Sequence, residues 1–131
     1  MFTAEQGYYI VFNFFQSYWE RVGIFRKSPI EGFDLLTVFD TGMRPQSIDE
    51  PNPADPAKFF DWENTIAALF PEQKNFTEDE VFQAVIKFLE FYRDEFGFNL
   101  TEVLADMESE VAQAIWRQVV DETLKLMAKG G

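Results

Sequence analysis

Apolar residues recur at steps of three and four in two stretches of this chain, and the two stretches can be laid one on the other. Residues 2–23 read FTAEQGYYIVFNFFQSYWERVG and residues 76–97 read FTEDEVFQAVIKFLEFYRDEFG. They coincide without a gap at Phe2/Phe76, Thr3/Thr77, Val11/Val85, Phe14/Phe88, Tyr18/Tyr92 and Gly23/Gly97. In the second stretch Val81, Phe82, Val85, Phe88, Leu89, Tyr92 and Phe96 form one apolar stripe of a helix. Thr77 followed by Glu80 is a capping box: the hydroxyl takes an orphan backbone N–H and the carboxylate reaches back. Phe76 and Val81 stand at the positions of a hydrophobic staple. Thr3 with Gln6 repeats the box, but Gly7 takes the staple position and predicts a weaker start. Gly23 and Gly97 fall where a left-handed residue ends a helix.

The likeness continues beyond the glycines. FDLLTV (33–38) pairs with FNLTEV (98–103), the first copy being interrupted by IFRKSPIEG. Ser28-Pro29-Ile30-Glu31 is a further capping box with Pro at the first helical position. It predicts a short helix through about Phe39, matched in the second half by one over Leu100 to Asp106. A third helix starts at Asp55-Pro56, an acid cap followed by proline. Phe59, Phe60, Trp62, Ile66, Leu69 and Phe70 then repeat at helical spacing until Pro71. In the second half Val111, Ala114, Ile115, Val119, Leu124 and Met127 do the same. The stretch TGMRPQSIDEPNPA (41–54) is a proline-rich loop. No run alternates with period two. The expectation is an all-α fold in a single domain, 1–131. It is a compact helical bundle of two pseudo-repeats, about 2–70 and about 76–128, each a long helix, a short helix and a helix. Two such units are too few for an open solenoid, so they are expected to pack face to face.

The two long helices differ on one side. Gln83, Ile86, Lys87 and Arg93 of the second correspond to Tyr9, Phe12, Asn13 and Trp19 of the first. The first is therefore apolar almost all round. Such a helix is either buried at the centre of a bundle or offers Tyr9, Phe12 and Trp19 as a contact patch.

Composition narrows the function. The chain has 131 residues, 16 of them Phe, and 47% apolar residues, which places it among folded domains rather than disordered segments. It contains no Cys and no His, which removes disulfides, Cys/His zinc sites, thiol nucleophiles and imidazole bases together. The longest nearly apolar run, residues 7–15, is short of the roughly 20 residues a membrane span needs. No basic, apolar leader pattern is present at the start. These features predict a soluble, cytoplasmic chain without a membrane partner. Net charge is −12, from 23 acids against 11 bases. Phosphate backbones repel such a surface, so direct nucleic-acid binding is not expected, whereas a cationic protein is attracted. Acidity also serves solubility alone.

Carboxylates are the only plentiful reactive groups, and nothing in the sequence sets a pair across a cleft as glycoside hydrolysis demands. Asp106, Glu108 and Glu110, or Asp49 and Glu50, offer hard oxygens, but neither set has the spacing of a calcium loop. No phosphate-binding glycine loop or nucleophile elbow occurs. The expectation is a non-enzymatic protein without cofactor or metal. The segment IDEPNPADPAKFFDWE (48–63) sets acids among large aromatics. Asp49, Glu50, Asp55, Asp61 and Glu63 around Phe59 make the candidate partner-binding residues, together with Tyr9, Phe12 and Trp19. An acidic rim around aromatic anchors is the composition of a binding hot spot. Asp55 as a cap and Trp62 as core supply a purely structural reading of the same stretch.

F-F-x-x-Y-W-E-R at Phe14 to Arg21, a Leu-rich piece from Leu35 to Phe39, and A-D-P-A-x-x-x-D-W at Ala54 to Trp62 form a sequence that resembles a known family. It is similar to small acidic immunity proteins of bacterial contact-dependent growth inhibition and related polymorphic-toxin systems. The resemblance covers about the first half and the repeated long helix. It implies an inhibitor that binds a cognate toxin, in many cases a basic nuclease domain, and blocks it. It carries over no individual functional residue, because such inhibitors diverge to fit their own toxins. Two other readings stay open at this point. One is a self-associating structural or regulatory helical module that uses the aromatics of helix 2–22. The other is an acidic mimic of nucleic acid that occupies a DNA-binding enzyme.

Overall fold

The long first helix begins where two chain segments are clipped together. In a computed structural model, which describes residues 1–22, 42–98 and 100–130, Phe2 and Phe76 exchange backbone hydrogen bonds of 2.8 Å in each direction. These are the residues that head the two matched stretches. Each is followed by its capping box. Gln6 N donates to Thr3 Oγ1 at 3.2 Å and Thr3 N to Gln6 Oε1 at 3.0 Å. Glu80 N donates to Thr77 Oγ1 at 3.2 Å and Thr77 N to Glu80 Oε1 at 2.9 Å. From these starts run α1 (Ala4–Val22) and α3 (Glu78–Phe96), with α2 (Pro56–Leu69) between them in sequence. The short α4 (Thr101–Asp106) and the long α5 (Glu110–Gly130) follow. The described residues contain five helices and no strand, so the fold is all-α. The short helix expected over 28–39 and the stop at Gly23 lie outside the described residues. The proposed repeat is therefore not laid out over its whole length.

The remaining caps follow from the residues at them. Asp55 accepts from Ala57 N at 3.1 Å, and Pro56 opens α2. Ser109 Oγ accepts from Ala112 N at 3.1 Å at the start of α5. Gly97 closes α3 at φ +73°, a conformation that favours glycine because it has no Cβ.

Helix α1 is the centre of the core. It lies against α5 and α2, while α3 lies against α2 and α4. Tyr8, Ile10, Val11, Phe14 and Tyr18 have no solvent exposure, and Phe12, Phe15 and Trp19 are also buried. Phe14 and Phe88, matched in sequence, each meet a tryptophan edge-on. Trp116 of α5 stands over Phe14 at 5.3 Å and Trp62 of α2 over Phe88 at 5.7 Å. Each tryptophan sits seven residues beyond its cap, Asp55 or Ser109. Edge-to-face pairs of this kind add about 1 kcal/mol beyond the area they bury. Where α3 has Val81 one turn past its cap, α1 has Gly7. A Cβ there would stand 3.3 Å from Trp62 Cζ2 and 3.7 Å from both methyls of Val81. Gly7 is where three helices converge.

The face that α5 buries keeps Ile115 and Val119 of the expected stripe but not its other members. Ala112, Ile115, Trp116, Val119, Val120 and Thr123 point inward, whereas Val111 and Leu124 are exposed. Thr123 satisfies its buried hydroxyl by donating to Val119 O at 2.9 Å. No helix among the described residues is long and apolar enough to cross a membrane.

Candidate functional site

The loop before α2 is folded on itself. Gln46 N donates to Pro51 O at 2.8 Å and Ser47 N to Glu50 O at 3.0 Å. Met43 is fully buried, and its carbonyl accepts the Tyr8 hydroxyl at 2.7 Å. These bonds fix a tight tip carrying Asp49 and Glu50 in solvent. Asp49 is tied to the first turn of α1, where its Oδ1 accepts from Gln6 Nε2 at 3.1 Å. Gln6 thus closes the capping box with its carbonyl and holds the loop with its amide.

On the other side of that turn, Glu5 faces Glu63 of α2. Partial burial, and then the charge of Glu5, push the Glu63 carboxyl above the usual carboxylate range. Glu5, Glu63, Glu72 and Lys74 line a shallow groove of about 370 Å³. Ala4, Ile66, Phe70 and Phe76 supply apolar walls, Phe70 and Phe76 packing at 5.9 Å between ring centres. None of these carboxylates, nor Asp49 or Glu50, has an ion-pair partner among the described residues. The ion pairs described are Lys58–Asp55, Lys87–Glu90 and Arg93–Asp94. These acids are contributed by four separate parts of the chain: the loop tip, the first turn of α1, α2 and the turn that follows it.

The structure separates the sequence candidates by role. Asp49, Glu50 and Glu63 are exposed. Asp55 is occupied as the α2 cap and as the partner of Lys58 at 3.3 Å. Asp61 accepts the Tyr92 hydroxyl at 3.0 Å on the α3 side of α2. Phe59 is half-buried, edge-on to Tyr8 at 5.2 Å. Its neighbour Phe60, one helical step round, is 62% exposed and lies a turn before Glu63. Phe60 is thus the outward aromatic of the segment. Tyr9 is half-buried, with its carbonyl accepting from Asn13 Nδ2 at 2.8 Å. Phe12 and Trp19, offered above as contact residues, are core instead, at 3% and 9% exposure. Arg44 of the loop covers the Phe12 ring at 4.9 Å. The surplus aromatics of α1 are largely consumed in packing because helices and loop enclose it.

Sequence reasoning missed Glu5 and Glu72, which join Glu63 only through the fold. The spacing alone did not separate Phe60 from Phe59, since adjacent residues of a helix can both be core, as Ile115 and Trp116 are.

A second groove, about 390 Å³, runs between α2 and α3 past Asp61, Thr65, Leu69, Lys87 and Phe91. Its charges are occupied: Asp61 by Tyr92 and Lys87 by Glu90 at 3.4 Å. Among the described residues no three carboxylates stand close enough to hold a metal ion. No protein-family model matches the chain, and comparison with curated proteins and with solved structures finds no match.

Proposed function

We propose that this chain is a non-catalytic binding protein that neutralises a basic protein partner, a cognate toxin domain, by covering its cationic site. The observation that supports this most is the set of carboxylates around the start of α1, without ion pairs among the described residues, with exposed Phe60 one turn from Glu63. A surface of this charge steers a basic domain into contact and raises the association rate. An exposed aromatic beside it supplies the apolar anchor that charge alone does not. The likeness of residues 14–21 and 54–62 to growth-inhibition immunity proteins supports the same reading, with this chain acting in the cytoplasm.

The test is co-expression with the product of the adjacent gene. A stable complex on gel filtration, and protection of cells from that product, are expected. Absence of both overturns the reading. A complex with a DNA-binding enzyme, competed by duplex DNA, would replace it with mimicry of nucleic acid.

A further inference from the structure

We infer that the groove between the first turn of α1, α2 and the turn 70–76 receives an arginine side chain of the protein partner. This rests on the reading above and names what those carboxylates grip. The groove has the two parts such a side chain needs. Ala4, Ile66 and Phe70 form an apolar wall for the three methylenes of the stem. Glu5 and Glu63 also line the groove, close enough for the charge of one to raise the other's carboxyl.

A cation seated between these two carboxylates converts a repulsion into two attractions. Glu72 and Lys74, which also line the groove, carry opposite charges, so with Glu5 and Glu63 the groove keeps a net negative charge. A guanidinium suits this geometry better than an ammonium. It is planar, carries five donors that can bridge two carboxylates, and stacks on aromatic faces such as that of half-buried Phe70. A divalent metal ion is the poorer occupant, because no third carboxylate is placed to complete its shell among the described residues.

The test is an NMR titration of the full chain with the peptide acetyl-Ala-Arg-Ala-amide. Saturable shifts confined to Ala4, Glu5, Glu63, Ala67 and Phe70 are expected. The citrulline peptide, equal in shape but uncharged, should leave them unmoved. Glu5→Gln with Glu63→Gln should weaken the arginine peptide by about tenfold, as two partly exposed charge pairs imply. Both side chains lie at the surface, so the double variant keeps its fold, and its unperturbed spectrum checks this. Shifts scattered over the whole acidic surface, equal binding of citrulline, or an unaffected double variant would each overturn the inference. A lysine peptide bound as tightly would overturn the choice of guanidinium. The same double variant separates the two readings. If the co-expressed partner binds it as it binds wild type, the groove assignment fails and the inhibitor reading stands. If no partner is bound but the arginine peptide seats in the groove, the reverse holds.

Discussion

Tyr18 and Tyr92 occupy matched positions, and each spends its hydroxyl on a carboxylate. Tyr18 donates to Asp106 at 2.5 Å and Tyr92 to Asp61 at 3.0 Å. Burial and the adjacent anions push both phenols upward, so both stay protonated donors across the physiological range. Removing either hydroxyl leaves a partly buried carboxylate short of a donor, and hydrogen bonds to charged groups are the stronger kind. Tyr18→Phe and Tyr92→Phe should each cost about 1.5 kcal/mol, read as a lower urea midpoint at unchanged slope. Glu63 works in the opposite sense. The folded chain holds its proton more tightly than the unfolded chain, because of partial burial and Glu5. Stability from this group therefore falls as pH rises from the ordinary carboxylate value through the raised one. Glu63→Gln should flatten that part of the stability profile in urea melts taken across mildly acid pH. A variant with the wild-type slope would show that neither partial burial nor Glu5 raises this carboxyl in the folded chain.

The elements that were legible in sequence are those whose instructions are local. The Thr77–Glu80 box, the Gly97 stop and the Asp55-Pro56 start each specify a helix end within a few residues, and each is found. Thr77→Ala should remove about 1 kcal/mol from α3, measured by denaturation. Packing was less legible. The apolar stripe assigned to α5 mixed Val111 and Leu124 with residues on another face. The buried side is fixed by Trp116, which reaches Phe14 and Phe82 at 5.3 and 5.0 Å. Gly7 looked like a defect in the first helix start, a missing staple residue. It is instead the space into which Trp62 fits, held by an Nε1 bond of 2.9 Å to Ala4 O. A methyl there gains about 1 kcal/mol of helix propensity but presses a ring that this bond prevents from yielding. Gly7→Ala should thus gain less than propensity alone predicts. Gly7→Val should lose about 2 kcal/mol, seen as a fall in melting temperature. The acidic groove was legible only in part, because Glu5, Glu63 and Glu72 come from three segments that only the fold brings together.

At the scale of the whole molecule, one charge distribution acts on folding and on binding with opposite sign. Net charge is −12, and the ion pairs described join neighbouring or nearby residues, Lys87–Glu90 and Arg93–Asp94 at the surface, where such pairs are worth little. The folded chain therefore gathers acids that repel one another more than they do in the unfolded chain. Salt screens this repulsion, with a Debye length that shrinks to about 10 Å at 0.1 M. Raising sodium chloride from about 20 mM to about 300 mM should raise the melting temperature by a few degrees. The same screening would weaken the attraction by which the proposed basic partner is steered to Asp49, Glu50, Glu5 and Glu63. Over that range of salt the complex should weaken by about tenfold, chiefly through slower association. Melting followed by circular dichroism and association followed by stopped flow, on the same salt series, would check both slopes. A complex that forms equally fast at both salt concentrations, while the melting temperature still rises, would separate the two effects. It would leave the acids as agents of solubility and move the weight of recognition to Phe60.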